Sequence, residues 1–510
     1  MAKHKRKHSS NSILRMVFVG LSLLFQLGWM LLLILKLNEY SLWISLVTGI
    51  LSVTVVLRLY SRQTTAAMKM PWIMLIMAFP VMGLSLYLLI VVFGDPGRRG
   101  KRIHQLRTKL DATLDFTGGI PENLEPVCGN QHSYLLKQTN APLYRNTDVR
   151  FYGEAADAFE ALKEDLEKAE AFIFMEYFIV ADGSAFREIR QILEKKAKQG
   201  VDVRLMYDDV GSVGYVNFRF ARELNQAGIR CQVFNPALPV LNLFMNHRDH
   251  RKIAVIDGKV GYTGGYNLSD EYFDRTRPYG KWKDTGLRLE GEAVQSLTAS
   301  FLEMWLSSQR TEEDVLPFLT VRHSLPEASG NVQPYRDDPR NSERAAESVF
   351  LNMIGAAQER IWFTTPYLII TDEMIRTLGL AAKRGVDVRI VTPGIPDKKT
   401  VYGVTRSYYA GLASQGVRIF EFTPGFCHAK QCVCDGKIAS VGTSNLDYRS
   451  LYLHYENNVL FSDCDAVKQV ERDFDSLFSV SREVTEQYRT GRKAILAMWQ
   501  CILRLFAPMM

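Results

Sequence analysis

HRKIAVIDGKVGYTGGYN, from His250 to Asn267, returns further along the chain as HAKQCVCDGKIASVGTSN, from His428 to Asn445. In each copy a histidine is followed two places on by a lysine, Lys252 or Lys430, and then by an aspartate, Asp257 or Asp435. Each aspartate heads an Asp-Gly pair, and each copy closes on an asparagine, Asn267 or Asn445. The apolar run before Asp257-Gly258 predicts a buried strand entering a tight turn, with Val260–Thr263 as the returning strand. Alternation along a strand puts His250 and Lys252 on one face. An imidazole there can act as nucleophile or general acid near neutral pH, and the neighbouring ammonium can neutralise a phosphate oxygen. The glycines before Asn267 let backbone and an amide donor approach such an anion closely. One copy is half of a phosphoryl-transfer site, so two copies predict a whole one. A single match of this kind arises by chance in roughly a few per cent of chains this long, and two with matching tails in about one in ten thousand.

The paired HxKxxxxD stretches, followed by GGxN and GTxN, resemble the phospholipase D superfamily and, within it, the bacterial cardiolipin synthases. Agreement continues in Glu176-Tyr177-Phe178-Ile179, Tyr207-Asp208-Asp209, Asn246-His247-Arg248, Trp282-Lys283-Asp284, Thr365-Pro366-Tyr367, Ser407-Tyr408-Tyr409 and Asp447-Tyr448-Arg449-Ser450. The resemblance implies phosphatidyl transfer through a phosphohistidine, with His250 as nucleophile and His428 as acid; the near-symmetry of the copies leaves the reverse assignment open. Lys252, Lys430, Asn267 and Asn445 would hold the non-bridging oxygens, and Asp257 and Asp435 would brace the site without touching phosphate. Asp284 and Glu456 stand where the family has acidic residues that orient the histidines. His247 and His454, close by in sequence, are expected either to support the catalytic residues from behind or to be structural. Tyr367, Tyr408, Tyr409 and the Lys398-Lys399 pair are candidate headgroup contacts. The expected substrate is phosphatidylglycerol, with no cofactor and no metal, since the lysines supply the positive charge.

Outward from the motifs, each half reads as alternating helix and strand, which indicates an α/β sandwich. Ala155–Ala169 and Phe186–Lys198 have helical spacing, and Ala171–Val180 and Val201–Tyr207 read as strands. Glu347–Gln358, Arg360–Ile370, Met374–Lys383 and Gly385–Arg389 repeat that order. The expected fold is therefore α/β, two phospholipase D-like α/β/α sandwich domains in tandem over 141–310 and 345–482, with the active site at their interface. Residues 311–344, charged and rich in proline, read as a linker, and 96–140 as a basic connector.

The first 95 residues have a different composition. Stretches 16–35, 40–57 and 71–93 carry no charge and approach the length that crosses ~30 Å of hydrocarbon, so they read as three transmembrane helices. Three spans place the N-terminus and the catalytic region on opposite faces, and the Lys/Arg counts do not decide between them; a cytoplasmic catalytic region in the cell membrane is the expectation. Residues 483–510 interleave Arg489, Arg492, Lys493 and Arg504 with Trp499, Ile502, Leu503 and Phe506, a pattern for a helix in the membrane interface.

The chain has 510 residues, a formal net charge of +7 and 7 cysteines at irregular positions. That length asks for more than one core, and the cysteine spacing predicts neither a disulfide framework nor a zinc site. The charge lies near the N-terminus and between Arg98 and Lys109, which suits an anionic membrane surface better than a nucleic-acid groove. Two readings stand beside the synthase: a phospholipase D that passes the phosphatidyl group to water, and an inactive membrane adaptor.

Overall fold

The structure, a computed structural model, describes residues 42–88 except 63, 97–236 except 115–118 and 122–123, 246–489 except 310–312 and 342, and scattered positions within 17–35 and 503–507. The first sheet is built from β1 (Thr147–Tyr152), β2 (Phe172–Tyr177), β3 (Asp202–Asp208), β4 (Arg230–Phe234), β6 (Lys252–Ile256), β7 (Val260–Gly264) and β9 (Gly286–Gly291), with the short β5 (Arg248–Asp249) and β8 (Lys281–Lys283) between them in sequence. Its spatial order is β1-β9-β7-β6-β2-β3-β4. The second half supplies β10 (Asn331–Asp337), β11 (Arg360–Thr364), β12 (Asp387–Pro393), β13 (Arg418–Phe422), β14 (Gly425–Cys427), β15 (Gln431–Cys434), β16 (Ile438–Gly442), β17 (His454–Ser462) and β18 (Arg482–Glu483). There the order is β10-β17-β16-β15-β11-β12-β13-β18.

Apart from β18 the two orders are the same arrangement twice: an edge strand, three antiparallel strands with the motif hairpin among them, then a parallel trio. The trio is parallel because helices Ser184–Lys198 and Asp372–Lys383 carry the chain back between strands, as βαβ crossovers require. Each sheet has one face under its own helices. Phe159, Leu162, Phe186 and Ile189 cover the first, and Val349, Phe350, Leu378 and Tyr409 the second. The opposite faces share one apolar core, in which Phe174, Val255 and Leu289 of the first sheet meet Val441, Val459 and Phe461 of the second. Helix Val294–Ser308 runs through this core with its side chains buried on every face.

Several expected boundaries change. The linker 311–344 contains β10, which is hydrogen-bonded along its length to β17. Pro334 is tolerated because β10 lies at the sheet edge, where a missing N–H costs no ladder bond. The connector 96–140 holds helices Gly97–Asp111 and Pro126–Thr139. The first is pinned by Arg107, which donates to the buried Glu303 at 3.0 Å, and Arg336 reaches the same carboxylate at 2.8 Å.

At the N-terminal end, the expected span 16–35 lies largely outside the described residues. Helix Leu42–Ser61 occupies the second, but the third is not one helix. It is Ala66–Ala78 and Pro80–Tyr87, broken at Phe79, where Pro80 cannot continue the ladder. Among the described residues no helix is long and apolar enough to cross a membrane. Of the C-terminal segment, Leu503 and Ala507 pack on the second half and Arg504 lies over the Tyr408 ring at 4.2 Å; apart from 483–489 and 503–505 and Ala507, it is outside the described residues.

Candidate active site

Two short backbone pairings between the halves build the site. β5, immediately before His250, pairs in parallel with the start of β17, bringing Arg248 opposite His454 and Asp249 opposite Tyr455. β14, immediately before His428, pairs in parallel with β8, bringing Cys427 opposite Lys283. The ladders continue into the histidines: His250 N–H donates to Tyr455 at 3.0 Å and His428 N–H to Lys283 at 2.7 Å. The next residues on the partner strands are Glu456 and Asp284. Each histidine therefore receives its carboxylate from the other half. His250 Nδ1 lies 2.9 and 3.0 Å from the Glu456 oxygens, and His428 Nδ1 lies 2.6 Å from Asp284 Oδ2.

Both carboxylates are held in place. Glu456 accepts from Ser450 Oγ at 2.5 Å and from Thr443 Oγ1, and Asp284 accepts from Thr285 N–H at 2.9 Å. Gly265 has a reason in this geometry, since a Cβ there would lie 2.0 Å from Asp284 Oδ1. The first copy thus needs a glycine where the second uses Thr443 to bind its acid.

Both histidines open on one cavity of about 440 Å³, lined also by Asn267, Asn445, Tyr367, Lys398, Asp447 and His454. Aromatic rings wall it: Phe178 stands edge-on to His250 at 5.0 Å, and Tyr272 and Trp282 lie 5.2 and 5.4 Å from His428. Burial pushes the imidazoles down, His250 to about 3 and His428 to about 4, with Lys252 and Lys430 adding to the effect and the carboxylates opposing it. Burial also lowers the ammonium groups, Lys252 to about 7 and Lys430 to about 8. Burial alone would raise the two acids; the histidines beside Glu456, and Lys430 and His428 beside Asp284, hold them below the usual range instead. At neutral pH both imidazoles are neutral, each able to give its Nδ1–H to a carboxylate and keep an Nε2 lone pair for the cavity. An anion entering between them would favour protonating one ring, which makes one base and one acid from a nearly symmetric pair.

The lysines stay with their own histidines. Lys252 Nζ donates to the His250 carbonyl and Lys430 Nζ to that of His428. Lys430 Nζ also lies 3.0 Å from His428 Nε2. Asn267 reaches the cavity, but its Oδ1 accepts from Ile179 N–H at 3.0 Å and its Nδ2 donates to Tyr272 at 2.8 Å, which leaves one amide hydrogen. Asp257 and Asp435 are not among the residues lining it. Each sits at a left-handed φ of 53° and accepts three backbone N–H bonds, Asp257 from residues 170–172 and Asp435 from 358–360.

Among the candidate headgroup contacts, Tyr367 and Lys398 line the cavity. Tyr408 and Tyr409 do not: Tyr409 is hydrogen-bonded to Thr392 at 2.6 Å in the second core. His454, expected to support the catalytic residues from behind or to be structural, lines the cavity itself with its ring 5.5 Å from His250. Its position two residues before Glu456 on a strand, and so on the same face, carried that signal. Ligand atoms of His250, His454 and Glu456 lie within 4.8 Å of one another, a donor set that could accept a divalent ion.

A family profile described as "Cardiolipin synthase, PLD-like domain" matches residues 162–305 and 350–478. The chain is 36% identical over 449 residues to "Cardiolipin synthase 2" of Bacillus anthracis, covering 86% of each. It is 33% identical over 467 residues to "Cardiolipin synthase" of Halalkalibacterium halodurans, covering 89% of this chain and 91% of that one. An uncharacterised protein of Streptococcus mutans is 38% identical over 459 residues, 89% of this chain and 99% of the relative. Among solved structures, phosphatidylserine synthase of Haemophilus influenzae aligns with a TM-score of 0.55 at 14% identity, covering 76% of this chain and all of that one, a likeness of fold.

Proposed function

The chain belongs to the cardiolipin synthase family of phospholipase D-like phosphatidyltransferases, and from that premise we propose that it joins two phosphatidylglycerol molecules into cardiolipin and glycerol at a membrane. His250 Nε2 attacks the phosphorus of the first lipid, and the bond to the terminal glycerol oxygen breaks. His428 gives that oxygen its proton, and glycerol leaves. The ring bonded to phosphorus becomes cationic, and Glu456 at Nδ1 balances it. His428, now neutral, takes the proton of a hydroxyl on the second phosphatidylglycerol; that oxygen attacks phosphorus, the P–N bond breaks, and cardiolipin leaves. One phosphodiester is exchanged for another, so no nucleotide is consumed. Lys252 and Lys430 bond their own histidines' carbonyls and are not among the residues lining the cavity; in this reading their charge, from beside the rings, offsets that building on the non-bridging oxygens.

The observation that carries this reading is the crossed pair, His250 with Glu456 and His428 with Asp284, opening on a single cavity. The cavity volume falls within the range of small-molecule sites and suits headgroups, with acyl chains left in the bilayer. Purified protein supplied with phosphatidylglycerol alone tests it. Cardiolipin with an equal amount of glycerol is the expected result. Phosphatidate would make the protein a hydrolase, and no turnover would make it an adaptor. His250→Ala and His428→Ala should each abolish turnover; near-normal rates in both would remove the mechanism.

A further inference from the structure

The apolar stretch after Lys69 folds back on itself. Helices Ala66–Ala78 and Pro80–Tyr87 meet so closely that a Cβ on Gly83 would lie 2.7 Å from the Ile76 Cα. The Trp72 and Tyr87 rings are 5.6 Å apart, whereas fifteen residues of straight helix would separate them by about 22 Å. At the turn Phe79 N–H donates to Leu75, the Phe79 carbonyl accepts from Gly83, and Pro80 brings no N–H. Among the described residues neither arm is long enough to span. Thirteen and eight residues rise ~20 and ~12 Å, against ~30 Å of hydrocarbon.

The hairpin starts at the catalytic body, and the chain is back at that body in the helix beginning at Gly97. Ala67 and Met68, at its start, pack on the core of the second half. Its end leads through the segment before Gly97 to the helix that Arg107 ties to Glu303. A single span would have put Ala67 and Met68 on the far side of the bilayer from that body. Between the ends, Met70, Met74, Met77 and Phe79 are about half exposed, at 48%, 47%, 57% and 58%, and no charged residue occurs from Met70 to Gly94.

We propose that residues 66–87 form a re-entrant hairpin, entering the bilayer from the face that carries the catalytic body and leaving on that same face. The partner is the hydrocarbon of one leaflet, and the inference rests on the membrane reading of the proposed function. The charges agree. Arg58, Arg62 and Lys69 on one side of the hairpin and Arg98, Arg99, Lys101 and Arg102 on the other come to a single face. If 16–35 and 40–57 both cross, Lys3, Lys5, Arg6, Lys7 and Arg15 join them, and Lys36 alone remains opposite. The Lys/Arg asymmetry that three spans leave undecided then points to a cytoplasmic catalytic region. Lys69 is already placed at that face, donating to the Arg62 carbonyl at 2.8 Å and the Tyr60 carbonyl at 3.3 Å.

The test uses the full chain in sealed membrane vesicles of both orientations with a membrane-impermeant maleimide, on T64C, T108C and F79C, corrected for labelling of the unsubstituted protein. The proposal expects T64C and T108C to label from the same side and F79C from neither. Labelling of T64C and T108C from opposite sides overturns it, as does aqueous labelling of F79C. Cardiolipin formation is measured on the same samples. Its absence from the unsubstituted protein would refute the enzymatic reading while the sidedness result still decides the hairpin.

Discussion

Replacing Glu456 by Gln keeps the side chain's size and its hydroxyl neighbours while removing the charge on His250 Nδ1. Ser450 and Thr443 can bond a carboxamide as well as a carboxylate, so the strand should keep its place. What is lost is a charged hydrogen bond at 2.9 Å from a fully buried acid, worth ~1.5–3 kcal/mol. The ring gains positive charge only as its Nε2 bonds to phosphorus, so the loss falls on the transition state. At ~1.4 kcal/mol per decade, kcat should drop roughly ten- to 150-fold, with kcat/KM falling in step and KM nearly constant. The assay is cardiolipin formation from phosphatidylglycerol in mixed micelles over a range of substrate. Glu456 lies in the opposite half of the chain from His250, so a contact within each half gives no reason for this loss. A rate within twofold of the unsubstituted protein, or a change confined to KM, would refute the reasoning.

Asp284→Asn should reproduce that loss through His428, read in the same assay. The free enzyme needs its lysines charged, and they deprotonate as pH rises through about 7 for Lys252 and about 8 for Lys430. kcat/KM should therefore fall on the alkaline side of neutrality, and a flat profile from pH 6 to 9 would contradict it. Glu303→Leu strands the buried Arg107 and Arg251 and should cost about 3–5 kcal/mol of stability in a denaturant titration. Its carboxyl is held at about 2 by those arginines against the opposing effect of burial, below its ordinary value of 4.5. That contribution is present above pH 4.5 and is lost as pH falls towards 2. A chelator should leave turnover unchanged if the lysines alone supply the positive charge; loss restored by a divalent ion would place a metal among His250, His454 and Glu456.

The repeated motif, its Asp-Gly turn and most helix and strand positions follow from local pattern, because each copy closes its own hairpin within eighteen residues. Helix Ala155–Glu167 and strand Asp202–Asp208 lie within a residue or two of where periodicity puts them. The crossing of the carboxylates was not legible. It depends on β5 with β17 and β8 with β14, pairings between segments about 200 and 140 residues apart, and no local spacing encodes them. β10 was hidden for a different reason: Pro334 reads as a linker residue unless the strand is known to be an edge. In 71–93 hydropathy reported only that the segment is apolar, while the fold turned on Phe79-Pro80 and on Gly83, which lets the two helices touch.

The central claim is that both imidazoles act on one phosphorus and that His250 carries the lipid between two alcohols. Mixing purified protein with phosphatidylglycerol, quenching rapidly in alkali to preserve a phosphorus–nitrogen bond, and reading peptides by mass spectrometry tests it directly. The account predicts a phosphatidyl increment on the peptide containing His250, absent from His250→Ala and increased in His428→Ala supplied with a lipid bearing a good leaving group. An increment on neither histidine, in a preparation that is making cardiolipin, would contradict it.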